Sequence, residues 1–466
     1  MHMLWTSGRV FRKVGYDTLF GGSQMSNLSY VIVALLCQVL SSVHLGTKRG
    51  LFTLLWALMS GRLLQSRGTV FPALAALGLA DDEVCRSAAA LTYGHYQTHE
   101  LVMDWRKFVR EQGRWQAHSY EGIRPVPCDL VGFYRPHLAH CATKHYNSQA
   151  GKALPALVYG LCVEVGSVGS MRLGVPRLLL RQLLGETEAQ LQRRLVREAA
   201  GGLASDEALI IDAGFSLSDL RSHEDLHFVV RIAQRAPENT TARRNVLPDY
   251  CGKGRPPEWG DIVRPLPRTR GTNHITATKP DNTACWKEGR HTIKAHIYEG
   301  LVAADEKPGG KTYRLIVIFD PRYHKPLILA TDLTVAAHSI WRLYRDRWPV
   351  EQLPLAAKQM LGAERSFVFG QNARYRLPEL ALLAGNILSY VAAITPAVAT
   401  GFWDRCSRPT CGRLRRRLER LNFSELPLPE DQLRKKASIT GHLPKGVAGH
   451  RRQRASQQDS EPAWAA

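Results

Sequence analysis

The 466-residue chain lacks any apolar run long enough to cross a bilayer. The longest, YVIVALLCQVL at 30–40, falls well short of the roughly 20 residues a spanning helix needs. It also lacks a CxxC pair. Nine cysteines, odd in number and scattered, do not form the framework of a secreted disulfide protein. Neither His137, His140, Cys141 and His145 nor Cys406 and Cys411 repeat the paired spacing of a zinc site. Acidic residues are scarce: 41 Asp and Glu stand against 62 Lys and Arg, a formal charge of +21. That imbalance points to a polyanionic partner, nucleic acid before an anionic membrane surface. No cleavable leader is evident, because the first apolar run begins only near residue 30 after the polar GYDTLFGGSQMSN. The expected location is the cytoplasm, associated with the nucleoid. The first 24 residues are atypical in composition, and Met25 is an alternative start.

What the chain does have is 44% hydrophobic residues, enough for two or three globular units. Residues 1–120 read as helical, with VFPALAALGLADDEVCRSAAALTYG resembling a helix-turn-helix opened by Asp81 and Asp82, and so as a DNA-binding region. From 121 to 235 the texture becomes α/β: three strand candidates, the helix GETEAQLQRRLVREAAGG, the strand ALIIDAGF, a helical turn and the strand LHFVVRIA. Residues 236–335 are rich in Gly, Pro and Arg and then strand-like, which predicts a mainly β insertion. Helices return over 336–362 and 377–395 within a segment ending near 400, and 401–466 is a basic, partly disordered tail.

The string LYRDRWPVEQLPLAAKQ places Tyr344, Arg347, Glu351 and Lys358 at spacings of three, four and seven, the helical period, so all four are expected on one helix face. Pro354 lies between Glu351 and Lys358 and should kink that helix. Asp129 in DLVGFYRP and Asp212 in DAGF each end an apolar segment. Phosphoryl transfer on nucleic acid is commonly run by two divalent cations held by such carboxylates. Asp320 and Asp332 also follow apolar strands but fall within the insertion, and Asp219 and Glu164 read as surface or turn groups.

The Tyr344, Arg347, Glu351 and Lys358 spacing matches the YREK signature of insertion-sequence transposases of the DDE class, which have a ribonuclease-H-like catalytic core. DAGF and FVVRIAQ are similar to that family's second-aspartate motif and the strand after it, and DLVGFYRP to its first. The resemblance covers roughly residues 121–395. Val131 departs from it, standing where the family carries a hydroxyl residue, and RPVP is a poor strand because proline cannot donate to a ladder.

The resemblance implies cut-and-paste DNA transposition. Asp129, Asp212 and Glu351 would hold two Mg²⁺ or Mn²⁺ ions; Tyr344, Arg347 and Lys358 would contact phosphates. Trp286 or Trp259 from the insertion would receive a base taken out of the stack. Double-stranded DNA, as terminal inverted repeats and target, is the implied partner, with a homodimer in the DNA complex and no membrane. Two rivals share this sequence: a catalytically inactive DNA-binding derivative, and a stand-alone nuclease on the same fold.

Overall fold

A computed structural model describes residues 24–433, apart from 139, 140, 142, 233–235, 253, 398 and 400. The start at Met1, the basic tail beyond 433 and His140 lie outside the described residues. The described chain is mixed α/β.

Six helices come first: α1 (Gln24–Val39), α2 (Leu45–Met59), α3 (Arg62–Gln65), α4 (Val70–Ala75), α5 (Asp81–Tyr93) and α6 (Thr98–Glu111). Five strands follow: β1 (Trp115–Ala117), β2 (Arg124–Tyr134), β3 (Lys144–Asn147), β4 (Lys152–Val168) and β5 (Met171–Arg181). Next come α7 (Glu188–Ala200), β6 (Glu207–Ile211), α8 (Leu217–Arg221) and β7 (Phe228–Ile232). The segment after β7 is strands: β8 (Ala242–Arg244), β9 (Ile262–Val263), β10 (Arg268–Arg270), β11 (Asn273–Ile275), β12 (Asn282–Glu288), β13 (His291–Ala303), β14 (Tyr313–Phe319) and β15 (Leu327–Thr331). Helices close the described part of the chain: α9 (Ala337–Arg345), α10 (Trp348–Leu355), a π turn over Ala356–Met360, α11 (Gln371–Ile394), α12 (Cys411–Glu419) and α13 (Glu430–Leu433).

One mixed sheet organises most of this. Its order runs β4, β2, β6, β7, β15, β14, β13, β8, β9, with β5, β3 and β1 also laddered to β4 and β12 to β13. β2, β6 and β7 are parallel neighbours, whereas β4 and β5 are antiparallel. A parallel pair needs a crossover, and α7 supplies it between β5 and β6. Thr187 starts α7 with a reciprocal capping box to Gln190, and Leu191, Leu195 and Ala199 bury its apolar stripe against one sheet face. The opposite face is covered by α9 through Ile340 and Leu343 and by α10 through Val350 and Leu353. The result is a sheet between two helical layers. Most of the strand segment after β7 continues the same sheet, because β15 pairs antiparallel with β7, while β10 and β11 form a separate two-stranded hairpin.

Two local expectations are corrected. RPVP is part of a strand: Pro125 and Pro127 pair with β6, while the β2–β4 register begins only at Cys128. The prolines therefore lie where β2 has no neighbour on the β4 side, and their missing N–H costs no ladder bond there. The N-terminal helices do not build a core of their own. Phe52, Trp56 and Trp105 share one apolar cluster with Leu380, Leu383 and Ile387 of α11 and Leu414 of α12. Gly50 makes the α2–α5 crossing possible, since a Cβ there would lie 2.9 Å from the Ala90 Cβ.

The helix pair expected to bind DNA is present as α4 and α5. Its second helix is capped by the Ala80 backbone, with Asp81, Asp82 and Glu83 all inside the first turn. Arg86 is paired to Asp82. That acidic end is poorly suited to a DNA phosphate. One helix, α11, is long and apolar enough to cross a membrane by length and composition, and 83% of its most apolar window is buried inside the protein. It is the central helix of the shared core.

Candidate active site

Asp129 sits midway along β2, and strand alternation places it with Val131 and Phe133 on the face covered by α10. Asp212 directly follows β6. The β2–β6 register pairs Cys128 with Ile211, so Asp129 and Asp212 are the next residues of two adjacent parallel strands. Gly214 then takes φ +123°, a backbone region closed to side chains, and turns the chain away so that Asp212 stands at the strand end.

Glu351 comes down from α10. Its Oε1 accepts a hydrogen bond from Arg347 Nη1 at 2.5 Å, and Arg347 Nη2 lies 3.5 Å from Asp212 Oδ2. The guanidinium therefore bridges the carboxylates of the strand end and the helix. Tyr344 donates its hydroxyl proton to Asp212 Oδ1 at 2.9 Å, and Arg231 of β7 lies 3.5 Å from the same oxygen. Arg231 stands in FVVRIAQ, yet its approach to Asp212 has no sequence signal beyond that motif.

Electrostatics tie the third acid to the same place. Burial raises the Asp129 carboxyl to about 6, and the charges of Glu351 and Asp212 push in the same direction, against the Leu130 amide and Arg347. Burial and the Asp212 charge push the Tyr344 phenol up to about 12. Arg347 is held more firmly protonated than a free arginine: burial opposes its charge, but Asp212, Tyr344 and Glu351 outweigh that.

The expected single helix is two. α9 ends at Arg345 and α10 starts at Trp348, so Tyr344 belongs to the first, Glu351 to the second, and Arg347 to the corner. The corner is pinned by Asp346, whose side chain is fully buried. His118 Nδ1 lies 2.6 Å from Asp346 Oδ2, Tyr120 donates to the same oxygen at 2.8 Å, and Arg172 Nε approaches Oδ1 at 3.2 Å. Sequence reading missed this group, because its members come from three distant stretches of the chain, around 118–120, 172 and 346.

Lys358 does not join the cluster. Pro354 lacks an amide proton and crowds the preceding turn, and after it the helix widens into the π turn that carries Lys358. The Lys358 ammonium lies 5.3 Å from the ring centroids of Phe133 and Tyr134 and 3.8 Å from Glu364. Burial lowers its pKa.

Neither tryptophan of the expected pair faces the carboxylates. Trp286 packs between His338 and Trp341, at centroid distances of 5.5 and 5.6 Å, as part of the layer under α9. Trp259 is sandwiched by Arg243 at 5.0 Å and Lys307 at 5.8 Å. The aromatic groups beside the cluster are others: a cavity of about 530 Å³ is lined by Tyr344 and Arg347, and also by Arg231, Tyr323, Trp341 and Trp348. Lys325, Arg345 and Arg322 add positive charge to its wall, and the acid there, Asp320, is held bidentate by Arg322. That pairing takes Asp320 out of contention as a metal ligand. Asp332 is likewise engaged, accepting from the Phe228 amide and facing His227 Nδ1 at 2.7 Å. Glu164 is buried and paired with Arg106 and Arg110, a structural group and not a surface one.

Three carboxylates offer only hard oxygen donors, the set preferred by Mg²⁺ and Mn²⁺. Among the described residues no three acidic, His or Cys side chains close around one point, and at this site the Arg347 guanidinium lies between Asp212 and Glu351. The donor chemistry fits divalent cations, with Arg347 as the compensating charge. No family model matches the chain, and no curated protein matches it.

Proposed function

We propose that this protein is a DNA transposase of the DDE class, cutting and joining DNA at Asp129, Asp212 and Glu351. The observation that carries the reading is convergence. Acids 83 and 139 residues apart in sequence stand in the middle of β2, at the end of the adjacent β6 and on the helix above them, with Arg347 joining Asp212 to Glu351. The chain order of three long strands, helix, strand, helical turn and strand supports a ribonuclease-H-like core.

Asp129, Asp212 and Glu351 would hold two divalent cations; when bound, these supply Lewis-acid polarisation of the scissile phosphate and a lowered pKa for the attacking water. The protein's own groups do the rest. Tyr344 and Arg231 orient Asp212. Arg347, whose planar fork holds Asp212 and Glu351, would be the group placed to bind phosphate oxygens. The basic, aromatic cavity beside them is suited to the sugar-phosphate and base of a distorted strand end.

The test is cleavage of a labelled duplex taken from the DNA flanking the coding region, with Mg²⁺ or Mn²⁺. A nick leaving a 3′-hydroxyl, joined afterwards to a second duplex and lost in Glu351→Gln, is the expected result. Cleavage without joining would favour a nuclease, and unaltered cleavage by Glu351→Gln would remove the site from the chemistry.

A further inference from the structure

A second concentration of positive charge lies away from the carboxylates in the chain. In CGRLRRRLER, Leu414 and Leu418 stand four apart and are buried, which fixes α12 on the helical core and leaves its arginines on the other face. Between the end of α11 and the start of α12 is a cavity of about 170 Å³ lined by Arg408, Arg413, Arg416, Arg417 and Arg420, with no carboxylate in its wall among the described residues. Guanidinium groups gathered in this way repel one another unless an anion lies among them.

One of them also lacks an acceptor. Arg413 Nη2 reaches Asp404 at 2.8 Å, while its Nη1 is buried with no hydrogen-bond partner. A buried donor left unmade is destabilising, and an anion in the cavity would supply the missing acceptor. The arginines of α7 make the contrast. Their cavity includes Glu186 and Asp219, and Arg194 is bonded twice to Glu186.

We propose that the α11–α12 cavity is a phosphate-binding site that grips a backbone phosphodiester of duplex DNA. Arg413 and Arg417 form its half-buried floor, and the exposed Arg408, Arg416 and Arg420 its rim. A planar fork matches two phosphate oxygens at once. The open rim and the charge of +21 favour a polymer over a free ion. This grip does not depend on whether the carboxylates cut DNA.

The test is fluorescence anisotropy of a labelled duplex with the full chain over a series of NaCl concentrations. Arg416→Gln/Arg420→Gln should weaken binding to every sequence alike and reduce the slope of log K against log salt by about two. Arg193→Gln/Arg197→Gln removes the same charge from exposed, acid-paired positions on α7 and should leave the slope unchanged. Equal effects of both doubles would mean bulk charge alone and overturn the proposal. So would an unchanged slope in the α12 double whose protection from melting by inorganic phosphate is nevertheless lost, since the site would then serve the free ion. Melting curves of both doubles report whether each is folded. A wild type that binds through these arginines but never cleaves would refute the transposase reading and leave this one standing.

Discussion

The Tyr344 hydroxyl lies 2.9 Å from Asp212 Oδ1, joining the last turn of α9 to the end of β6. A neutral donor on an ionised acceptor contributes about 1.5–3 kcal/mol. Tyr344→Phe keeps the ring in its packed position and removes only this bond. Single-turnover cleavage should slow by roughly tenfold to a hundredfold, with DNA affinity little changed.

Asp346 is the buried anchor of the α9–α10 corner, contacted by His118, Tyr120 and Arg172. Asp346→Ala leaves Arg172 without its carboxylate and two donors without an acceptor. Chemical denaturation should show a loss of roughly 3 kcal/mol, the range found when one member of a buried pair is removed. Asp346→Asn, which keeps an acceptor for Tyr120, should lose less.

Stability of the cation-free protein should fall as pH rises from about 4 to about 6. Asp129 titrates near 6 when folded and near 3.8 when unfolded, so the folded chain binds the extra proton between those values. Its neutral form is favoured by folding, and that advantage is lost on ionisation. The whole shift corresponds to roughly 3 kcal/mol. Asp129→Asn should flatten the profile, melt higher than the wild type at neutral pH and fail to cleave.

Gly214 has φ +123° and open space around the position of a Cβ. Gly214→Ala therefore meets backbone strain and no clash. It should cost about 1–3 kcal/mol in thermal unfolding and displace Asp212, so that cleavage falls further than stability alone explains.

Arg347→Lys retains one positive charge but cannot span Asp212 and Glu351 with a planar fork. Cleavage should drop at least tenfold. Lys358→Met leaves the carboxylates untouched and exchanges a desolvated ammonium over Phe133 and Tyr134 for an apolar chain of similar length. Unfolding measurements should register no loss.

Much of this was legible from local pattern. β4, β5, β6 and α7 announce themselves through apolar runs, alternation and a glycine stop, and Asp212 through the end of such a run, whereas Asp129, read in the same way, lies mid-strand and Glu351 stood out by its helical spacing from Tyr344 and Arg347. Continuity was harder to see. Spacings of three and four persist across a helix break, so Tyr344, Arg347 and Glu351 read as one face although Asp346 separates two helices. The partner that stabilises that break, His118, is 228 residues away. Pro125 and Pro127 made β2 read as a poor strand because a strand's pairing on each side is not written in its own residues. For the same reason, the helical periodicity of 24–111 gave no sign that its core would be completed by α11.

The ladder from β4 through β7 and β15 to β9 has no gap in it. Tyr323 and Lys325, on the turn between β14 and β15, are therefore built into the same stiff plate as Asp129 and Asp212, and no hinge separates grip from chemistry. On the proposed function, accommodation at this groove would fall to the more pliable partner: a DNA strand end entering it would give up its own helical form to fit.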